Sequence, residues 1–191
     1  MFCIIICVFF CLPISYESFA KRFVIGVEAI EYYPLYDFNL AGNSKNSFIR
    51  ELLLKFFDEK KYDYRFQPLP LKRFNMWYIE ENIDFKFPDN TLWRNNETNK
   101  LAITYSDDVI RLEAGTYVLL ENLYLKRNEV KILGTILGFY PTLWSDLIGT
   151  GQVKLFESNS PFSLVKHLLH GNVDALNLDG NVIRYQLKTL N

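Results

Sequence analysis

The sequence predicts an α/β fold built as two lobes around a cleft, on three observations. Short apolar strand-like runs alternate with amphipathic helical runs, a first strand–helix–strand cycle occupies residues 23–67, and a second series of such units begins at residue 132. The segment 109–125 joins them, which divides the chain into an export signal (1–20), a first lobe (21–108), a hinge or crossover (109–125) and a second lobe (126–191). With 191 residues the chain is long enough to bury a sizeable core, and 49% hydrophobic with 23% charged residues is an ordinary folded composition. The formal net charge is only -1 and Lys and Arg are scattered among Asp and Glu, so no basic stripe marks a nucleic-acid partner.

Residues 1–14 (MFCIIICVFFCLPI) form a nearly unbroken apolar run that Pro13 ends, and Ser18 and Ala20 stand at the -3 and -1 positions before Lys21. This is the layout of a cleaved export signal, with the free amino terminus in place of a basic n-region. An uncleaved tether is the alternative, although the run is shorter than the ~20 residues of a spanning helix. Cys3, Cys7 and Cys11 all lie inside it, so a mature chain from Lys21 has no cysteine for disulfides, thiolate metal sites or nucleophiles. No cofactor is expected.

Residues 23–27 (FVIGV) read as a buried strand running into a loop with Tyr32, Tyr33, Pro34, Tyr36 and Phe38. Rings at the carboxyl end of a first strand suit either recognition or packing, and the local pattern leaves both open. A turn at residues 41–44 leads to a helix capped by Asn46 or Ser47, with Phe48, Ile49, Leu52, Leu53, Phe56 and Phe57 as its apolar face. Tyr62, Tyr64 and Phe66 alternate with polar residues as in a strand stopped by Pro68 and Pro70. Strand, helix, strand in that order predicts a parallel pair. A second helix is expected over residues 71–82, then strands over 83–87 and 101–105 with a polar loop between, and two extended pieces around residues 113–115.

The second series starts with a strand over residues 132–137 and a turn into a helix at Pro141 that ends at Gly149-Thr150-Gly151. A strand over 153–156 follows, then a helix opened by Ser160-Pro161 and stopped by Gly171. A strand over 173–178, a turn at Asp179-Gly180 and a helix over 182–190 close the chain.

Several landmarks in this order resemble the bacterial extracellular solute-binding proteins of family 3, the periplasmic receptors of amino acid ABC transporters. They are the opening VIGVEAIEYYPLYDF, the PLPLKRF segment, Ile83-Asp84-Phe85, Thr104-Tyr105-Ser106-Asp107 and, most specific, LLHGNVDALNLDGNVIRYQL. The resemblance implies a type II periplasmic-binding-protein-like fold, periplasmic localisation, a monomer that closes over a small polar solute, and an ABC transporter permease as partner, with no enzymatic activity. It places Tyr33 and Tyr36 against the ligand body, Asp89 and Asn90 at a strand end that faces the solute, and Asp179 on a ligand amino group, while Asp174 is a structural turn residue. The family's carboxylate-clamping arginine falls at about Asn99 or Lys100, neither of which offers a bidentate fork, and Arg94 is off register. An α-amino acid is therefore not required as ligand. The chain ends soon after Asp179, where the family returns to its first lobe, so the resemblance predicts a C-terminally truncated member with an incomplete second crossover.

Other residues carry two readings. Trp93 suits ligand stacking or loop packing, and Tyr140, before a helix start, suits anion binding or packing. Arg73 reads as a helix-surface ion pair before a cleft residue, Asp179 before Gly180 also suits a turn, and His167 with His170 reads as a solvated face before a metal pair. No Gly-x-Ser-x-Gly elbow or G-x-G-x-x-G fingerprint occurs. The enzyme alternative, a dehydratase-like or lytic activity on the same fold, has Asp89 and Asp179 as its acid or base candidates. A sensor or an inert paralogue is the remaining alternative.

Overall fold

The computed structural model describes residues 21–39, 45–80, 82–93 and 98–190. The expected export signal, the turn at 41–44 and Arg94 lie outside them. Strand β1 (Phe23–Glu28) has four successive buried residues at its carboxyl end, as a central strand covered on both faces requires. A tight hairpin follows, β2 (Glu31–Tyr32) and β3 (Tyr36–Asp37), and then helix α1 (Phe48–Glu59). Ser47 stands at the helix N-cap as expected, but its hydroxyl accepts the Asp37 N–H at 3.1 Å instead of capping the helix. The expected apolar face also divides: Ile49 and Phe57 are buried, whereas Phe48 and Phe56 are 60% and 47% exposed. Residues at i, i+1, i+4 and i+5 subtend too wide an arc for one side of a narrow sheet to cover.

Strand β4 (Tyr64–Leu69) pairs parallel with β1 and continues through Pro68, where the sequence predicts a stop. An edge strand tolerates the missing donor, and the sheet order β4-β1-β5 puts β4 at an edge. Instead of one helix over 71–82 the chain forms a 3-10 turn, Leu71–Met76, and a single α-helical turn, α2 (Trp77–Glu80). The Arg73 N–H and the Trp77 indole N–H both donate to the Pro70 carbonyl, at 3.1 Å each, which winds the segment tightly and buries Trp77 completely. Strand β5 (Phe85–Phe87) then joins the other side of β1. No strand forms over 101–105, because the Ile103 N–H donates to the Leu101 carbonyl at 3.0 Å in a three-residue turn.

Of the two extended pieces expected within 109–125, one strand forms, β6 (Ala114–Tyr117). Its length is that of its antiparallel ladder with β9, after which the chain turns into a 3-10 segment, Leu120–Asn122. The remaining elements are β7 (Ile132–Ile136), α3 (Ser145–Gly149) preceded by a 3-10 turn, β8 (Lys154–Ser158), α4 (Pro161–Leu169), β9 (Ala175–Asp179) and α5 (Gly180–Leu190). The second sheet has the order β6-β9-β7-β8, with β7 parallel to both neighbours. Helix α4 starts where expected: the Ser160 hydroxyl accepts the Ser163 N–H at 3.3 Å and Pro161 fills the first turn. Asp174 has the structural role expected of it, its Oδ2 accepting the Lys131 and Ile132 N–H groups at 2.7 and 2.8 Å.

Among the described residues the first sheet draws only on residues before 88 and the second only on residues after 113, yet one apolar cluster joins them. Ile25, Val27, Tyr32, Tyr36 and Phe38 belong to the same buried cluster as Ile136, Leu164, Leu176, Leu178, Val182 and Ile183. No helix among the described residues is long and apolar enough to cross a membrane. Leu176 is fully buried in this cluster, so Leu176→Ala should lower the unfolding free energy by about 2–5 kcal/mol. Ser160→Ala removes only the α4 cap and should cost about 1 kcal/mol, both read from urea unfolding midpoints at unchanged slope.

Candidate functional site

Strands β1, β5, β7 and β9 all point their carboxyl ends at a cleft of about 1540 Å³ between the two sheets, where ligands of open α/β sheets bind. The floor comes from β1 and the hairpin. Glu28, the last residue of β1, is 2% exposed, and its Oε2 accepts the hydroxyl hydrogen of Tyr36. Burial pushes the Glu28 carboxyl up to about 8, against smaller opposing effects of the Tyr36 hydrogen bond and the Lys86 charge. Burial likewise raises the Tyr36 and Tyr32 hydroxyls.

Lys86 enters from the middle of β5, flanked by Phe85 and Phe87. Its ammonium donates to the Phe74 carbonyl at 2.8 Å, lies 3.8 Å from Asp89 Oδ2 and sits 3.1 Å from the centre of the Phe74 ring. Burial brings it down to about 8, with Asp89 and Glu28 pulling the other way. Asp89 Oδ2 also accepts the Tyr78 hydroxyl at 3.1 Å, so the carboxylate joins β5 to α2. The far wall is the end of β9, where the Asp179 N–H donates to the Tyr32 hydroxyl at 2.9 Å and Asp179 Oδ1 accepts the Asn181 N–H at 2.7 Å. Asp179 thus takes the turn position expected before Gly180 and also lines the cleft. Gly138, after β7, closes the rim: its φ of +89° and the Leu71 and Lys72 backbone at 3.0–3.1 Å from where a Cβ would stand leave room for no side chain.

Of the residues singled out from the sequence, Tyr36, Asp89, Asn90, Trp93, Tyr140 and Asp179 border this cleft. Tyr36 does so from below, as the partner of Glu28 and not as an open ring, at 2% exposure. Trp93 packs edge-on to Phe74 at 5.8 Å while still lining the wall, and Tyr140 is 61% exposed at the rim. Tyr33 is absent from the lining: its ring lies 4.5 Å from Tyr185 of α5, with the Lys45 ammonium 5.4 Å above it. Tyr33 stands in the turn after β2, where its ring meets α5 instead of the cleft. Arg73 pairs with Glu80, the surface reading, and His167 of α4 leans on Phe156 and bonds Asn172 beyond the helix end. Glu28 and Lys86 are not singled out by the sequence, and Tyr32 is named there only among the rings of the aromatic loop. An acid closing an apolar strand and a lysine between two phenylalanines were the available signals.

The titrating floor has a measurable signature. The folded Glu28 holds its proton to about 8 where a free carboxyl releases it near 4.5, so the unfolded chain binds fewer protons in that window and stability falls as pH rises through it. Lys86 releases its proton near 8 instead of 10.5, so its contribution rises between those values. Together they contribute a stability minimum near pH 8. Melting temperatures from pH 5 to 10 should show that dip, and Glu28→Gln should remove its acid side.

No family model matches the sequence, and no curated protein sequence matches it. Solved structures do. An ancestral arginine-binding protein bound to arginine superposes with a TM-score of 0.67 at 18% identity, over 88% of this chain and 74% of that one. An ABC uptake transporter substrate-binding protein from Streptococcus pneumoniae with bound histidine gives 0.63 at 15% identity, over 88% and 70%. An ancestral amino-acid-binding protein, precursor of cyclohexadienyl dehydratase, gives 0.62 at 15% identity, over 87% and 74%. The fold is therefore the α/β fold of type II periplasmic binding proteins.

Proposed function

We propose that this chain is an exported, non-catalytic solute receptor that captures a small polar solute, amino-acid-like or an amine or organic acid, between two lobes. The observation that carries the reading is the cleft itself. It lies at the carboxyl ends of strands from both sheets and combines acidic groups, a buried lysine and aromatic walls, the composition of a polar-solute site. The fold supports it, since the solved structures that share it include receptors bound to arginine and to histidine. In this reading the chain is a member of solute-binding family 3, the lobes are residues 21–108 and 126–191, and 109–125 is the hinge. A monomer in the periplasm, freed of residues 1–20, would hand its solute to an ABC transporter permease. Asp89, Asn90, Trp93, Tyr140 and Asp179 are the contacts, with Tyr36 supporting Glu28 beneath them.

The solute's affinity comes from contacts that exist only with the lobes closed, which shifts a hinge equilibrium. The experiment is thermal unfolding against a panel of amino acids, amines, organic acids and short peptides. A true ligand at 100 times its Kd adds about 2.7 kcal/mol. Asp179→Ala and Trp93→Ala should each reduce that shift, and a folded protein stabilised by no compound would end the receptor reading.

One observation favours a second reading, catalysis on the same fold. Glu28, protonated up to about 8 at the cleft floor, has the titration of a general acid near neutral pH, a stronger candidate than Asp89 or Asp179. Turnover of a metabolite mixture that Glu28→Gln abolishes would replace the receptor with an enzyme.

A further inference from the structure

We infer that Asn177 is a specificity-determining residue on the second sheet's side of the cleft, where its amide receives an uncharged group of the carboxamide kind that both donates and accepts hydrogen bonds. The inference rests on the receptor reading and adds the head group that the solute carries at this wall.

Strand β9 alternates between two faces. Leu176 and Leu178 enter the cluster shared by both sheets, whereas Ala175, Asn177 and Asp179 turn the other way, where Ala175 meets Val130, Leu133, Trp144 and Val153. Asn177 is therefore a polar residue on an apolar face in the middle of a sheet, at 8% exposure. Its side-chain amide has no hydrogen bond among the described residues, and its polar neighbours supply none. Thr116, opposite it on β6, accepts the Trp144 indole N–H at 3.3 Å. Thr135, two residues past the Leu133 that pairs with Ala175, is fully buried, and its hydroxyl has no partner either. A buried amide lowers stability unless something answers it, and this face would accommodate a leucine. Breaches of that rule concentrate at functional sites.

The position of Asn177 shows where its partner comes from. It borders the cleft together with Thr142 and Leu143 of the turn after β7, and it stands two residues, about 7 Å along the strand, before Asp179. An amide offers two N–H donors and a carbonyl acceptor, so the group that satisfies it best also does both. Charge selects further. The cations that border the cleft among the described residues, Lys72 and Lys86, come from the first sheet's side, and Asp179 is the one charged residue lining the second sheet's wall. A carboxylate brought to Asn177 would face an acid with no counter-charge on that wall, and an ammonium would find its stronger acceptor at Asp179. An uncharged amide pairs with Asn177 and leaves no charge uncompensated.

Thermal unfolding and calorimetric titration of the full chain with matched pairs decide this: 4-aminobutanamide against 4-aminobutanoate, and glutamine against glutamate. The amide of each pair should bind about tenfold or more tightly than its carboxylate. Asn177→Leu should fold with an unchanged or higher melting temperature, because leucine suits the face, yet bind the amides at least about tenfold more weakly and the carboxylates nearly as before. Asn177→Ser, which keeps a smaller donor and acceptor, should restore part of that loss. A lower melting temperature for Asn177→Leu with the amides bound as in the unaltered chain makes Asn177 a structural residue and overturns the inference. A preference for the carboxylate of each pair does the same. Stabilisation by other members of the wider panel but by neither amide overturns the inference and leaves the receptor standing, and a folded chain stabilised by no compound overturns both.

Discussion

The contact on which the rest of the structure depends is the hydrogen bond from the Asp179 amide to the Tyr32 hydroxyl, between residues 147 positions apart. It joins the end of β9 to the hairpin after β1, and around it the apolar residues of both sheets merge into one cluster. The hairpin is the plug of that junction. Its inward rings, Tyr32 and Tyr36, lie 5.2 Å apart, and Phe139 from the turn after β7 meets Tyr32 at 5.3 Å. A second touch at Gly138 and Leu71 sets the spacing of the rim. The cleft is the space these two contacts leave between the strand ends.

Placing charge in such a space has a cost that the protein meets unevenly. Lys86 is buried but has a carbonyl, a carboxylate and a ring face around its ammonium. Glu28 has one neutral donor, the Tyr36 hydroxyl. Because Asp89 already answers Lys86, the lysine cannot also neutralise Glu28 in full, and desolvation prevails over attraction.

Much of the fold was legible in the chain. The α4 start at Ser160-Pro161, the β7 and β9 runs and the order of elements follow from local capping and periodicity, which act over a few residues. The failures come from sheet edges and turn contacts that periodicity does not count. Pro68 stays in a strand because β4 has a free edge, the 71–82 segment tightens because Pro70 accepts two donors, and the 101–105 run turns on itself with no ladder to hold it. Half the apolar face of α1 remains in solvent for the same reason: periodicity counts apolar residues, and the sheet behind the helix decides how many it covers.

The site divides along the same line. The sequence alone placed the strand ends and the aromatic loop, because strand ends and turns are written in neighbouring residues, whereas Asp89 and Asp179 came from the resemblance to solute-binding proteins. Which tyrosine faces inward was decided by tertiary partners, the Asp179 amide for Tyr32 and Tyr185 of α5 for Tyr33. The state of Glu28 was decided by tertiary structure entirely: a carboxyl's charge depends on burial and on the cations within reach, and both are brought to it by β5 and β3 from elsewhere in the chain.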